Sequence, residues 1–226
     1  MAEVAAPGAV EVLSWTVGPL QENCYLVQDS GSGAGALVDP GAEGDRLVAA
    51  LRARERTHGL RLEAVWLTHA HLDHVGALKE VTAAYDVPVY LHPLDRPVFD
   101  YAPRAAAMYG LPWEEQPRPD AEFTDAQELA LGDLRFTVLH TPGHAPGHVA
   151  IHGAGVLLAG DLLFEGSIGR TDLPMADPRA MTRSLARVAA LPPDTAVFPG
   201  HGRSTSIGRE LRTNPFLNGG ARPLGG

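Results

Sequence analysis

With 226 residues, 45% hydrophobic and 20% charged, the chain has material for one substantial core and is not a disordered tail. A formal net charge of −9 argues against a nucleic-acid partner, and the lone Cys24 excludes an intrachain disulfide. No apolar run approaches the ~20 residues that span a bilayer, and the start carries no secretory leader, so a cytoplasmic protein without a membrane partner is expected.

In chain order, Val10 to Val17 is β-rich, Gly18-Pro19 turns the chain, and Asn23 to Gln28 gives a second strand. The Gly/Ser turn from Ser30 leads to a third strand, Ala36-Leu37-Val38, which ends at Asp39-Pro40-Gly41. Asp45 to Thr57 spaces Leu47, Val48 and Leu51 as a helix does. Its basic residues, Arg52 to Arg61, are diluted by Glu55 and Glu63 and read as a solvated face. Ala64 to Thr68 is a short apolar strand with the pattern of one buried on both sides. It runs into His69-Ala-His71-Leu-Asp73-His74, after which Val75 to Tyr85 reads as one helix and Val87 to Leu91 as a strand.

From Asp95 to Asp125 five prolines weaken the pattern, and one short helix is expected there. The segment is either a cover over an active site or a plain surface insertion, with Tyr101, Tyr109 and Trp113 as its aromatics. Strands resume at Leu134 to His140, His148 to His152 and Gly155 to Ala159. Pro178 to Leu191 is a helix, Ala196 to Phe198 the last strand, and Ser206 to Arg212 a final helix. No repeat or linker divides the chain, so residues 1–226 are read as one domain of mixed strands and helices.

The chemistry concentrates in His69 to His74. In extended backbone, residues two apart point the same way, so His69 and His71 can face one ion, while Asp73 and His74 open a helix towards a neighbouring position. Imidazole and carboxylate suit zinc, and also iron or manganese. Four such groups within six residues would cost stability if buried without a metal. His144, Asp161 and His201 each follow a strand, where α/β sheets gather their sites. His58 and His152 read as structural or exposed, and His92 and His140 as satisfied by local hydrogen bonds. His148 reads either as packing or as a group that orients a ligand.

His69-X-His71-X-Asp73-His74, followed by His144, Asp161 and His201, resembles the metallo-β-lactamase superfamily along nearly the whole chain. The resemblance implies an α/β, four-layer αββα sandwich. It implies that His69, His71 and His144 hold one ion and Asp73, His74 and His201 a second, with Asp161 bridging them. The opening Gly18 to Tyr25, Thr141-Pro-Gly-His144 with Gly147-His148, Gly160-Asp161, Ser167 to Asp172 and Asn214-Pro-Phe216 resemble the glyoxalase II-like branch. That branch implies hydrolysis of hydroxyacyl thioesters such as S-lactoylglutathione by a metal-bridging hydroxide, with Asp73 and Asp161 as the catalytic carboxylates.

The longer enzymes of that branch add a helical domain with basic residues for glutathione. Only residues 202–226 follow His201 here, so the short, single-domain form is expected. Arg170 stands where the longer enzymes carry a basic thiol-binding residue; it reads equally as a structural partner of Asp172. One rival is the persulfide dioxygenase branch, with a single iron and a similar Gly-Arg-Thr-Asp segment; another is a lactonase sharing every ligand. A β-lactamase is set aside because those enzymes lack an Asp161-type bridge, and a nuclease because residues 162–200 leave no room for its inserted domain.

Overall fold

Strand alternation builds the first sheet around two faces. The computed structural model describes residues 9–221, so the readings of the chain's start and of its Gly-rich end fall partly outside it. β1 (Val10–Val17) and β2 (Glu22–Asp29) form an antiparallel hairpin, and β2 pairs with β3 (Ala34–Val38) on its other side. Every residue of β2 and β3 is buried, so each strand feeds two cores at once. Tyr25 and Val27 point to one, Cys24 and Leu26 to the other. β4 (Arg61–Trp66), β5 (Val89–Leu91) and β6 (Ala121–Glu122) extend this sheet in parallel.

The second sheet has the order β14-β13-β10-β9-β8-β7. Its strands are β7 (Glu128–Leu131), β8 (Leu134–His140), β9 (Val149–Gly153), β10 (Val156–Gly160), β13 (Ala196–Pro199) and β14 (Thr205–Ser206). A small hairpin, β11 (Leu163–Phe164) with β12 (Ser167–Ile168), lies between. Tyr25, Val27, Trp66 and Phe123 pack against Phe136, Val138, Ile151 and Leu158 in the core between the sheets. The outer face of the first sheet is covered by α1 (Gly44–His58), α2 (Leu72–Val75), α3 (Leu78–Ala84) and α4 (Arg96–Tyr109). The outer face of the second is covered by α5 (Pro178–Ala189) and α6 (Ile207–Thr213), with Met181, Leu185, Val188 and Ile207 on Leu157 and Val197. Three cores between four layers make the expected αββα sandwich.

The structure corrects three readings. The helix expected over 75–85 begins only at Leu78: Val75 closes α2, Gly76 packs where a Cβ would lie 2.5 Å from the Gly41 carbonyl oxygen, and the Ala77 N–H donates to the Pro40 carbonyl at 3.0 Å instead of continuing a helical ladder. Asp95 to Asp125 holds not one short helix but the 14-residue α4, followed by β6. Pro97 falls in the first helical turn, where a missing N–H costs nothing, and Pro103 is on the exposed face. Strands β7, β11, β12 and β14 were also not anticipated. Only β7 carries an alternating pattern, with Leu129 and Leu131 inward; the other three are two residues long.

Candidate metal centre

Five of the seven anticipated ligands lie beyond the carboxyl end of a strand, on loops at one rim of the two sheets. β4 leads to His69 and His71, β8 to His144, β10 to Asp161 and β13 to His201, while Asp73 and His74 lie in α2. The rims are stitched together: Val149 N–H donates to the Thr68 carbonyl at 2.8 Å and Asn23 N–H to the Gly200 carbonyl at 2.8 Å. The Asn23 amide also donates to the carbonyls of Pro199 and Gly202, and the Tyr25 hydroxyl to that of Pro199 at 2.7 Å. The Gln-Glu-Asn-Cys-Tyr segment thereby fixes the loop that presents His201. Asp177, which caps α5, donates its N–H to the Gly143 carbonyl, and Ser184 donates to that of Pro142, so α5 seats the His144 turn. Gly160, at φ 47°, lets the chain pass beside Thr68 and His148; a Cβ would fall 2.5 Å from the threonine hydroxyl.

All seven anticipated residues converge. His69, His71 and His144 place donor atoms within 4.8 Å of one another, as do Asp73, His74 and His201, and as do His69, His74 and Asp161. Asp161 spans the sets: one carboxylate oxygen is 3.5 Å from His74 Nε2, the other 3.3 Å from His144 Nε2 and 3.6 Å from His201 Nε2. Asp73 lies 3.2 Å from His201 Nε2.

The donors fit divalent metal ions. His69 Nε2, His74 Nε2 and one Asp161 oxygen are buried without a hydrogen-bond partner, an arrangement that costs stability unless a cation meets them. His71 Nδ1 and His144 Nε2 face each other at 2.8 Å. Burial, then the neighbouring His144, pushes the His71 imidazole down to about 3, and burial likewise holds His69 well below the usual histidine range. Neutral rings with lone pairs aimed inward are what borderline divalent ions bind. Asp73 is held below the usual carboxylate range: burial opposes this, but the hydrogen bond from His201 and the charge of His74 outweigh it.

Supporting groups set the ring tautomers. Thr68 donates its hydroxyl to Asp39 at 2.6 Å and is therefore free to accept from His69 Nδ1, 3.1 Å away. Asp39 accepts from His74 Nδ1 at 3.0 Å, and the Arg170 carbonyl accepts from His144 Nδ1 at 2.8 Å. In all three rings Nδ1 is taken by its partner and Nε2 is left facing the centre. His148, open between packing and support, accepts the Asp161 N–H at 3.1 Å and contacts Thr141 at 2.9 Å. It orients the carboxylate-bearing backbone.

Four buried polar residues escaped the sequence reading. Asp39 and Thr68 follow buried apolar strands, the same signal that singled out Asp161 and His201. Asp95 accepts from the N–H of Ala70 and of Gly147, both at 2.7 Å, and joins the first histidine loop to the His144 loop; nothing in its surroundings in sequence announces this. Glu22 is fully buried, its carboxyl 3.9 Å from His74 Nδ1 and without a hydrogen-bond partner, so burial raises it well above the usual carboxylate range.

The other anticipated residues sort clearly. His58 is exposed and His152 half-buried. His92 accepts from Leu94 N–H and His140 contacts the Pro146 carbonyl, and the two rings also stack at 4.2 Å. Arg170 lines the cavity above the centre and forms a bidentate pair with Asp172 at 2.8 and 3.0 Å. Tyr101 and Tyr109 of α4 line the same cavity, so that segment covers the site, whereas Trp113 packs on the helix-side core.

Comparison with known proteins agrees with this geometry. Residues 17–201 match the model of the metallo-beta-lactamase superfamily. The hydroxyacylglutathione hydrolase GloC of Haemophilus influenzae is 37% identical over 214 residues, covering 92% of this chain and 98% of that one. The crystal structure of TTHA1623 in a di-iron-bound form superposes with a TM-score of 0.81 at 47% identity, covering 91% of this chain and all of that one. BLEG-1, described as a B3 metallo-beta-lactamase, gives a TM-score of 0.81 at 35% identity over 92% and 99% of the two chains. The chain belongs to the metallo-β-lactamase superfamily.

Proposed function

We propose that this chain is a binuclear metallohydrolase that cleaves hydroxyacyl thioesters, with His69, His71 and His144 on one ion, Asp73, His74 and His201 on the other, and Asp161 between them. The observation that carries the reading is the position of Asp161, whose two oxygens face His74 on one side and His144 and His201 on the other. A site for one iron held by two histidines and one aspartate would leave four of the seven converging residues without a task. The 37% identity to a hydroxyacylglutathione hydrolase supports the thioester as substrate, and the di-iron-bound neighbour supports two ions while leaving zinc, iron and manganese open.

Bound divalent ions would supply a water of lowered pKa and a Lewis acid for the carbonyl. The protein's part is to hold the donors in place and to exclude water. Asp39, Thr68 and the Arg170 carbonyl keep the three imidazoles turned inward, and His148 fixes Asp161. Asp73, held below the usual carboxylate range, stays ionised and offers its charge to a cation at the floor of the cavity. Tyr101, Tyr109, Phe164 and Ile168 wall the cavity and lower its dielectric, which strengthens stabilisation of an anionic intermediate.

The test is metal analysis of purified protein together with hydrolysis of a small thioester, S-acetyl-N-acetylcysteamine, and of S-lactoylglutathione. Two ions per chain with thioester turnover is expected, and Asp161→Asn should lower kcat by on the order of a hundredfold while reducing metal content. One iron per chain with oxygen uptake on a persulfide would replace the reading. Cleavage of a β-lactam but of no thioester would move the protein to the chemistry for which BLEG-1 is named.

A further inference from the structure

The cavity above the metal centre has a volume of about 420 Å³, and its walls differ sharply from its floor. His71, Asp73, His144, Asp161 and His201 form the floor. Above them, apart from Ser167, Arg170 and the two tyrosine hydroxyls, the lining is apolar, and Arg170 is its only Lys or Arg among the described residues. Six large apolar side chains are exposed among the described residues, and four of them, Leu20, Met108, Tyr109 and Met175, stand around this one mouth. Met108 is 69% exposed and Tyr109 52% exposed although both lie on α4, whose opposite face is fully packed. Apolar groups collected at the entrance of a reaction cavity mark what that entrance binds.

Charge points the same way. The glutathione tripeptide carries two carboxylates and an ammonium. Arg170, the one guanidinium lining the cavity among the described residues, is already shared with Asp172, and Arg104 lies outside the lining against the Tyr101 ring, 5.6 Å from its centroid; one committed cation in the lining cannot pair two carboxylates. We infer that the substrate is a thioester whose body beyond the reacting carbonyl is aliphatic or aromatic, seated against Leu20, Tyr101, Met108, Tyr109 and Met175, rather than a glutathione conjugate. This rests on the thioesterase reading above. The apolar body could be the acyl chain or the thiol, and the same walls would receive either.

The experiment compares kcat/KM of the metal-loaded enzyme for four esters. On the acyl side, S-octanoyl- is set against S-acetyl-N-acetylcysteamine. On the thiol side, the S-lactoyl ester of benzyl mercaptan is set against S-lactoylglutathione. Removing two methylenes from water is worth on the order of tenfold, so one of the two apolar esters should exceed its partner by at least that factor. The arm that responds identifies which side is apolar. Met108→Glu, at an exposed position whose one side-chain hydrogen bond among the described residues is that from the Tyr101 hydroxyl, should lower kcat/KM for the preferred apolar ester by about fivefold more than for S-lactoylglutathione.

A second readout needs no turnover. The uncleavable thioether S-octyl-N-acetylcysteamine should bind with a negative heat-capacity change in calorimetry, weakened in Met108→Glu. Apolar esters cleaved no faster than their partners, with no thioether binding, would overturn the inference and leave the thioesterase reading standing. Thioether binding without cleavage of any thioester would do the reverse: the apolar cavity would stand and the thioesterase reading would fall.

Discussion

Asp39 shows how a residue that touches no substrate can govern the centre. It sits just beyond β3 at φ 51°, accepts from the backbone N–H and hydroxyl of Thr68, and holds His74 Nδ1. Through Thr68 it also reaches His69, so one carboxylate fixes two of the histidine rings that face the centre. Asp39→Ala is expected to lower the affinity for metal by about ten- to a hundredfold, the usual effect of losing a partner behind a ligating histidine. Competition with a chelator measures it; unchanged affinity would show that packing alone orients His74. The same residue was legible as the end of a strand but not as a support, because a hydrogen bond between residues 39 and 74 leaves no mark in local sequence.

Among the elements, the loops after β4 and β8 are joined by Asp95, at the end of a short 3-10 turn from Pro93 to Asp95. Burial raises its carboxyl to about 6, even though two backbone N–H donors pull it down. A carboxyl whose pKa is raised by folding binds its proton more tightly in the folded state. Its contribution to stability is therefore fully present below pH ~4 and is lost as pH rises towards 6. Asp95→Asn should remove that part of the pH dependence, and it should cost about 1–3 kcal/mol because its NH₂ group cannot accept from one of the two N–H donors. Urea denaturation at pH 4.5 and pH 7 reads both effects; an identical pH slope in the two proteins would count against a protonated Asp95. At this scale α4 also matters, since Tyr101, Met108 and Tyr109 line the cavity mouth.

For the molecule as a whole, the centre is a seam. Its donors come from both sheets and from α2, and the backbone bonds from Val149 to Thr68 and from Asn23 to Gly200 close the same rim. Binding of metal to the folded state alone then adds to the stability of the entire sandwich, by about 4 kcal/mol when free metal exceeds Kd a thousandfold. Removing metal with a chelator is expected to lower the thermal midpoint and to restore it on addition of zinc or iron. A midpoint indifferent to metal would mean that the facing donors are tolerated without a cation, contrary to the unpartnered His69, His74 and Asp161 atoms.

The seven residues that converge and the four-layer sandwich were legible in the sequence, because each rests on local information: candidate donors two or one apart, or single donors at the ends of apolar strands. The short strands β6, β11, β12 and β14 were not, since two residues carry no period. The length of α4 was hidden by prolines whose cost depends on where in a helix they fall. Asp39, Thr68, Asp95 and the roles of His148 and Arg170 were decided only by the tertiary structure. Except for the Arg170–Asp172 pair, which the sequence already offered, each acts through a hydrogen bond whose partner lies far away in sequence and is selected by the fold; the sequence names the candidate donors, and the packing of two sheets decides what holds them in place.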